Sequence, residues 1–478
     1  MHDPELAYAP AWKQAKLVAQ KKVSPVELVR LYLDRIEKID PMIHAFITVA
    51  SEQALQAARR AEAAVLKREM LKPLHGVPIT LKDVEATKGI RTTLGSLVFK
   101  DRVTDFDSVV SERVQRSGAI IIGKTNTPEI AIHLETITDN LVAGACHNPW
   151  RLDRTTGGSS GGAAAALAAG LCPVAIGSDG GGSIRIPASF CGVYGYKPSH
   201  GRVPRAMGLA RPDPNQFAQS GPMSNYVKDS AVLLQAISGP DPRDPQPFLR
   251  ADPPDFVSAL ERPPKRLRIG WARDFGDGIV DPSVAETVAS AARWFGEIGW
   301  SVEEAEVSLR PDLPEHFWNV FGANAYLQYG ELLDDHAELL GVSARTALER
   351  GKAISGHAYA RSLRVVNELK LYMGGLMERY DLLLSPTTSI TAFDPASRPT
   401  EIGGKPVHSI TGFYPYTFPI NMTGQPAASI PCGFVDGLPV GLHIVGRTGD
   451  DMTVLQASAA FEAGRPWQGS RPQLAKAA

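Results

Sequence analysis

Apolar residues recur with a helical period near the start of the chain. Val29, Tyr32, Leu33 and Ile36 share one face if residues 24 to 39 wind as a helix. Ser24 stands before them as an N-cap, Pro25 suits the first turn, and Glu27 completes a capping box. Asp40-Pro41 is read as the stop. A second, alanine-rich helix is predicted from about Ser51 to Lys67. The pattern then changes to short apolar runs. HGVPITLKD (75 to 83) reads as a strand with Lys82 near its end, and AIIIG reads as another, ending at Gly123. SSGGAAAALAAG (159 to 170) reads as a close-packed helix, opened by a glycine turn and closed by Gly170. Further strands are predicted at VAIGS (174 to 178), RLRIGW (266 to 271) and YDLLLSPT (380 to 387). A last pair is AASIPCGF (427 to 434) and VGLHIVG (440 to 446), before a helix from about Met452 to Ala463. This alternation predicts an α/β fold with a mostly parallel or mixed sheet. The Pro/Asp-rich stretch from 238 to 256 reads as a surface excursion, and no internal repeat is visible.

Composition narrows the class. The 478 residues are 44% hydrophobic and 21% charged, an ordinary globular balance. A formal net charge of -1 gives no global field that would favour nucleic acid or anionic lipid. No apolar run reaches the roughly 18 residues of a membrane span. The first residues lack the basic-then-apolar order of a signal peptide, so the expected location is the cytoplasm. Cys146, Cys172, Cys191 and Cys432 are far apart and read as small buried hydrophobes rather than disulfides or zinc ligands. The histidines show no HxxxH or HExxH spacing. No metal and no cofactor are expected.

Three motifs compete for the chemistry. GAIIIGKT (118 to 125) satisfies the phosphate-loop pattern, but Ile120, Ile121 and Ile122 favour an extended buried strand over a tight cradle of N–H groups. Lys124 is then a strand-end residue. Gly157, Ser159 and Gly161 fit the GxSxG elbow of α/β-hydrolases, which would make Ser159 the nucleophile and His443 its base. The third reading joins TTGGSSGG (155 to 162), GSDGGGS (177 to 183) and Lys82. Attack on an amide develops an oxyanion, best held by N–H groups already aimed at it. Gly180, Gly181 and Gly182 would let the N–H groups of residues 180 to 183 converge on it while Ser183 attacks. The attacking hydroxyl needs a base, and Lys82, in an apolar setting, can serve if burial keeps it neutral. Ser159 would relay the proton. Ser160, Asp179 and Arg185 flank these groups as site support.

These stretches carry a resemblance. PLHGVPITLKD, GAIIIGKTNTPE, TTGGSSGGAAAALAAG and GSDGGGSIRIPASFCGVYGYKPSHGRV, with NMTGQPAASIPCG and LPVGLHIVG in the tail, are similar to the amidase signature family. The resemblance implies a single large domain over residues 1 to 478, with a mixed central sheet and helices on both faces. It divides the chain into a helical segment to about 70, a signature core over about 73 to 230 and a variable pocket region over about 240 to 420. It implies Ser183 as nucleophile, Ser159 after a cis peptide bond as bridge, and Lys82 as base. In this family the reaction comes from the shared core and the substrate from variable loops. The aromatic residues Phe317, Trp318, Phe321 and Tyr326, then Phe413, Tyr414, Tyr416 and Phe418, are the pocket candidates. Phe317, Trp318, Phe321, Tyr414 and Tyr416 lead that set. They suit aryl or hydrophobic amides, and esters or carbamates. The partner expected is a small-molecule amide; a homodimer is common in the family. One branch, the glutamine-hydrolysing component of glutamyl-tRNA amidotransferase, works with partner chains. It carries an acidic residue a few positions before the proline matching Pro419. Here Tyr414 stands there, with no acidic residue between Gly412 and Gln425. The expectation is a stand-alone hydrolase.

Overall fold

The capping box at Ser24 forms: the Ser24 hydroxyl accepts from Glu27 N, and the Glu27 carboxylate accepts from Ser24 N. The helix does not stop at Asp40-Pro41. It runs from Pro25 to Ile43, through Pro41, and ends at His44 in the left-handed region. A proline so near the last turn removes only one of the final backbone bonds, which a long helix tolerates. The structure is a computed structural model and describes residues 4–132, 137–206, 216–244, 252–276 and 278–476. Part of the 238 to 256 stretch lies outside these residues.

Eleven strands form one sheet. In chain order they are β1 (Phe46–Val49), β2 (Pro78–Lys82), β3 (Ile120–Thr125), β4 (Val174–Asp179), β5 (Tyr194–Lys197) and β6 (Gln219–Ser224), then β7 (Arg268–Trp271), β8 (Ser301–Glu304), β9 (Leu382–Pro386), β10 (Ala427–Val435) and β11 (Leu438–Gly446). Their order across the sheet is β1-β3-β2-β4-β6-β5-β10-β11-β9-β7-β8. β2 runs parallel to β3 and to β4, and β9 and β8 run parallel to β7; the remaining pairs are antiparallel, so the sheet is mixed. The expected α/β class is the class found.

Residue parity decides which helices cover which face. Side chains alternate across a strand. Ile120, Ile122 and Ala175 pack with Val29, Tyr32 and the alanines of the helix Gly161–Ala168. Ile79, Leu81, Ile121, Val174 and Ile176 point the other way, into a core shared with the helices Val227–Ile237, Pro282–Glu297 and Asp451–Gly464. A third core, under β9 and β11, joins the helices Leu313–Tyr329 and Gly356–Arg379. All four cysteines are buried and unpaired. Among the described residues no helix is long and apolar enough to cross a membrane, and no group of three His, Cys, Asp or Glu is placed to hold a metal.

Candidate active site

Lys82 ends β2 and is fully buried. Parity puts Leu81 into the core on one face and turns Lys82 to the face covered by Gly161–Ala168. There its Nζ donates to Ser159 Oγ at 2.5 Å and to Ser178 Oγ at 2.9 Å. Burial pushes the Lys82 ammonium down to about 7; Asp179 and Glu85 oppose that shift, and Arg205 adds to it. Ser159 stands just ahead of the helix Gly161–Ala168, after a cis Gly158–Ser159 bond. Gly161 and Gly162 let this helix press on its neighbours. A Cβ on Gly162 would run into Asn126 N, and one on Gly161 into Thr138 Oγ1.

The loop after β4 carries Gly180 to Ser183. Asp179 anchors it from below. Its carboxylate accepts from the N–H groups of Gly182 (2.7 Å), Ile184 (3.2 Å) and Arg185 (3.4 Å). It also accepts from Arg185 Nε at 2.9 Å and Nη2 at 3.0 Å, and from Asn421 Nδ2 at 2.9 Å. Burial alone would raise the Asp179 carboxyl, but the Arg185 guanidinium beside it prevails and holds it well below the carboxylate range. Asp179 and Arg185 thus shape the loop rather than face the cavity. The expected four converging donors are corrected at one position: the Gly182 N–H is spent on Asp179, leaving Gly180, Gly181 and Ser183 for an oxyanion. Gly182 itself needs to be glycine, since its φ is +127° and a Cβ would collide with Thr417 Oγ1. Ser160 ties the two motifs together. Its N–H donates to Ser183 O, and its hydroxyl donates to Ser178 O and accepts from Ser178 N. It makes no side-chain cap bond to the helix that it precedes.

Ser159, Ser178, Gly180, Gly181 and Ser183 share the wall of one cavity of about 880 Å³. Phe317, Trp318, Phe321 and Tyr414 line it too. Tyr416 does not: its ring is fully buried against Phe275, so that expectation is corrected. Tyr326, Phe413 and Phe418 are likewise not on this wall. Tyr326 packs on Gly330 and Gly351, and the other two are core rings.

The competing motifs are resolved by the same geometry. GAIIIGKT is strand β3, buried along its length, and Lys124 Nζ donates to the Glu85 carbonyl and to Thr92 Oγ1 rather than facing a cradle. His443 cannot act as base to Ser159. It is fully buried on β11, with Nε2 against Arg185 Nη1 at 2.9 Å and Nδ1 against Ser385 Oγ at 3.3 Å. Burial, then the Arg185 cation, hold its imidazole well below the ordinary histidine value. The elbow reading is therefore overturned. Sequence reasoning missed Ser178, Glu85 and Ser220. Ser178 opposes Ser220 across β4 and β6, and Ser220 donates to Glu85 Oε1 at 2.6 Å. A serine inside a strand carries no signal of its own.

With this geometry in place, the comparisons with known proteins decide the family. The family model described as Amidase matches residues 27–455. The chain belongs to the amidase signature family. Members hydrolyse carbon–nitrogen bonds, and this chain is an amide hydrolase of that family. It is 38% identical to the amidase-family component of the glutamyl-tRNA(Gln) amidotransferase from Moorella thermoacetica, covering 98% of this chain and 99% of that one. It is 34% identical to an acylamidase from Rhodococcus erythropolis, covering 99% and 98%. Among solved structures, a bacterial aryl acylamidase of the amidase signature family superimposes with a TM-score of 0.90 at 31% identity, over 98% of each chain. A 6-aminohexanoate cyclic dimer hydrolase gives 0.86 at 29% identity, over 98% and 99%.

Proposed function

We propose that this chain is a stand-alone amidase for aryl or hydrophobic amides, working through an acyl-enzyme on Ser183. The observation that carries this reading is the buried contact of Lys82 Nζ with Ser159 Oγ, on the wall that also presents Ser183 and the rings of Phe317, Trp318, Phe321 and Tyr414. Substrate enters with its carbonyl over the Gly180–Ser183 loop. Ser183 Oγ attacks the carbonyl carbon and passes its proton through Ser159 to the neutral Lys82. The N–H groups of Gly180, Gly181 and Ser183 hold the oxyanion. The tetrahedral adduct collapses, the C–N bond breaks, and the proton returns from Lys82 through Ser159 to the leaving amine. Water then repeats the sequence on the ester, releasing the acid and free Ser183. Esters and carbamates present the same carbonyl and fit the same scheme.

The second reading is a glutaminase like the amidotransferase components, to which the chain is equally similar. Tyr414 on the cavity wall favours the stand-alone reading. It places a ring where that branch needs a carboxylate, and Glu315 is the single acid among the described wall residues. The test is steady-state hydrolysis by the purified chain. An aryl amide such as acetanilide should be cleaved and glutamine should not; glutaminase activity without anilide cleavage would reverse the assignment.

A further inference from the structure

We infer that the cavity takes amides with one long apolar limb, laid along the helix Leu313–Tyr329, and that Ala325 sets how much limb fits. This rests on the amidase reading above and adds the shape of its substrate. Phe317, Phe321, Ala325 and Gln328 all line the cavity. Their spacing of four, four and three puts them on one stripe of the helix. The stripe begins at the reacting centre: the Phe317 ring comes within 3.0 Å of where a Cβ on Gly181 would stand. At about 1.5 Å of rise per residue, Gln328 lies about 16 Å further along the axis. Phe321 stacks on Phe317 at 5.5 Å, continuing the apolar wall outward. Across from it Ile130 and Ile132 close the channel, packing with Ala325 and Leu348 in one cluster. The single carboxylate on the wall, Glu315, belongs to the first turn of the helix, so the stretch beyond Phe317 is left to apolar contacts.

The cavity, at about 880 Å³, is the size of sites that hold drug-sized ligands, roughly 300–1,000 Å³. A one-ring anilide would leave much of it empty. Ala325 is the smallest side chain on the stripe and stands between Phe321 and Gln328. Its missing bulk is what keeps the channel open past the second aromatic turn.

The experiment compares kcat/KM across two matched series: p-nitroanilides of acetic, butyric, octanoic and lauric acid, and N-acetyl amines of the same chain lengths. One series, whichever half lies in the channel, should gain at least about tenfold from shortest to longest, since each fully buried methylene is worth about fourfold. Ala325→Phe should cut the long-to-short ratio by about tenfold, the gain being removed with the space. Gln328→Trp should trim only the longest member, and it serves if Ala325→Phe melts early. Equal rates at all lengths in both series, or an unchanged ratio in a folded variant, would overturn the inference. If no amide of any length is cleaved, the amidase reading fails instead. Calorimetric binding of the same series to the Ser183→Ala protein then reads the limb directly, and should show the same rise and the same fall in the Ala325→Phe background. Affinity independent of length would overturn it.

Discussion

Lys82 is the residue on which the chemistry turns. Its folded pKa is pushed down to about 7, so the neutral base is scarce below that value and dominant above it. The rate constant kcat/KM should therefore rise through pH 7 and level off in the alkaline range, as expected of a group that must be deprotonated in the free enzyme. A profile flat from about pH 6 to 10 would remove lysine from the role of base. Asp179 and Arg185 make a second prediction. Both side chains are fully buried, and deleting one leaves the other as an uncompensated charge. Arg185→Met should lose about 3–5 kcal/mol of stability by urea unfolding, with the loop collapsing before the rest. A loss under about 1 kcal/mol would mean that the pair is not what holds the loop. Lys82, Ser159 and Ser183 were legible in the sequence because glycine-rich runs around a serine have few structural uses. Ser178 was not, and neither was the loss of the Gly182 N–H to Asp179. Which donor a carboxylate takes depends on loop geometry that composition does not encode.

At the scale of elements, the helix Gly161–Ala168 matters most, because Ser159 and Ser160 ride at its start. Gly162 is where it touches β3 and the chain beyond: a Cβ there would meet backbone at Asn126 N and Ala45 O, neither of which can rotate away. Gly162→Ala should lower the melting temperature, at about 1–3 kcal/mol for overpacking, and lower kcat more than it raises KM by moving Ser159 off Lys82. Normal kcat in a folded Gly162→Ala protein would separate the helix position from catalysis. The short apolar strands β2, β3, β4, β9, β10 and β11 were readable from their runs and glycine stops. β1, β5, β6 and β8 were not. β6 is QSGPMS, with a glycine and a proline, and β8 is SVEE, mostly polar on an edge. The helix Leu313–Tyr329 was missed as a helix although its aromatics were noticed. It buries one side against Gly356–Arg379 and offers another to the cavity, so it lacks the single apolar stripe that marks a surface helix.

The whole molecule sets the site at the ends of parallel strands, where β2 and β4 stop side by side and the following turns are free to carry chemistry. Contacts from the far end of the chain complete it: Asn421 holds Asp179, and Thr417 Oγ1 donates to Gly181 O at 2.7 Å. This explains why the pocket could be read only in part. Phe317 and Tyr414 are far apart in sequence, and only the assembled sheet places both on the cavity wall while turning Tyr416 inward. At this scale the account also expects full activity in EDTA, since every step above is carried by side chains and backbone N–H groups; inhibition reversed by zinc would contradict it. The most direct measurement is covalent labelling of the intact protein with a fluorophosphonate, followed by peptide mapping of the modified serine. The account predicts one label, on Ser183, abolished in Ser183→Ala and slowed in Lys82→Met. Label on Ser159 instead, or labelling untouched by loss of Ser183, would contradict the assignment of the nucleophile.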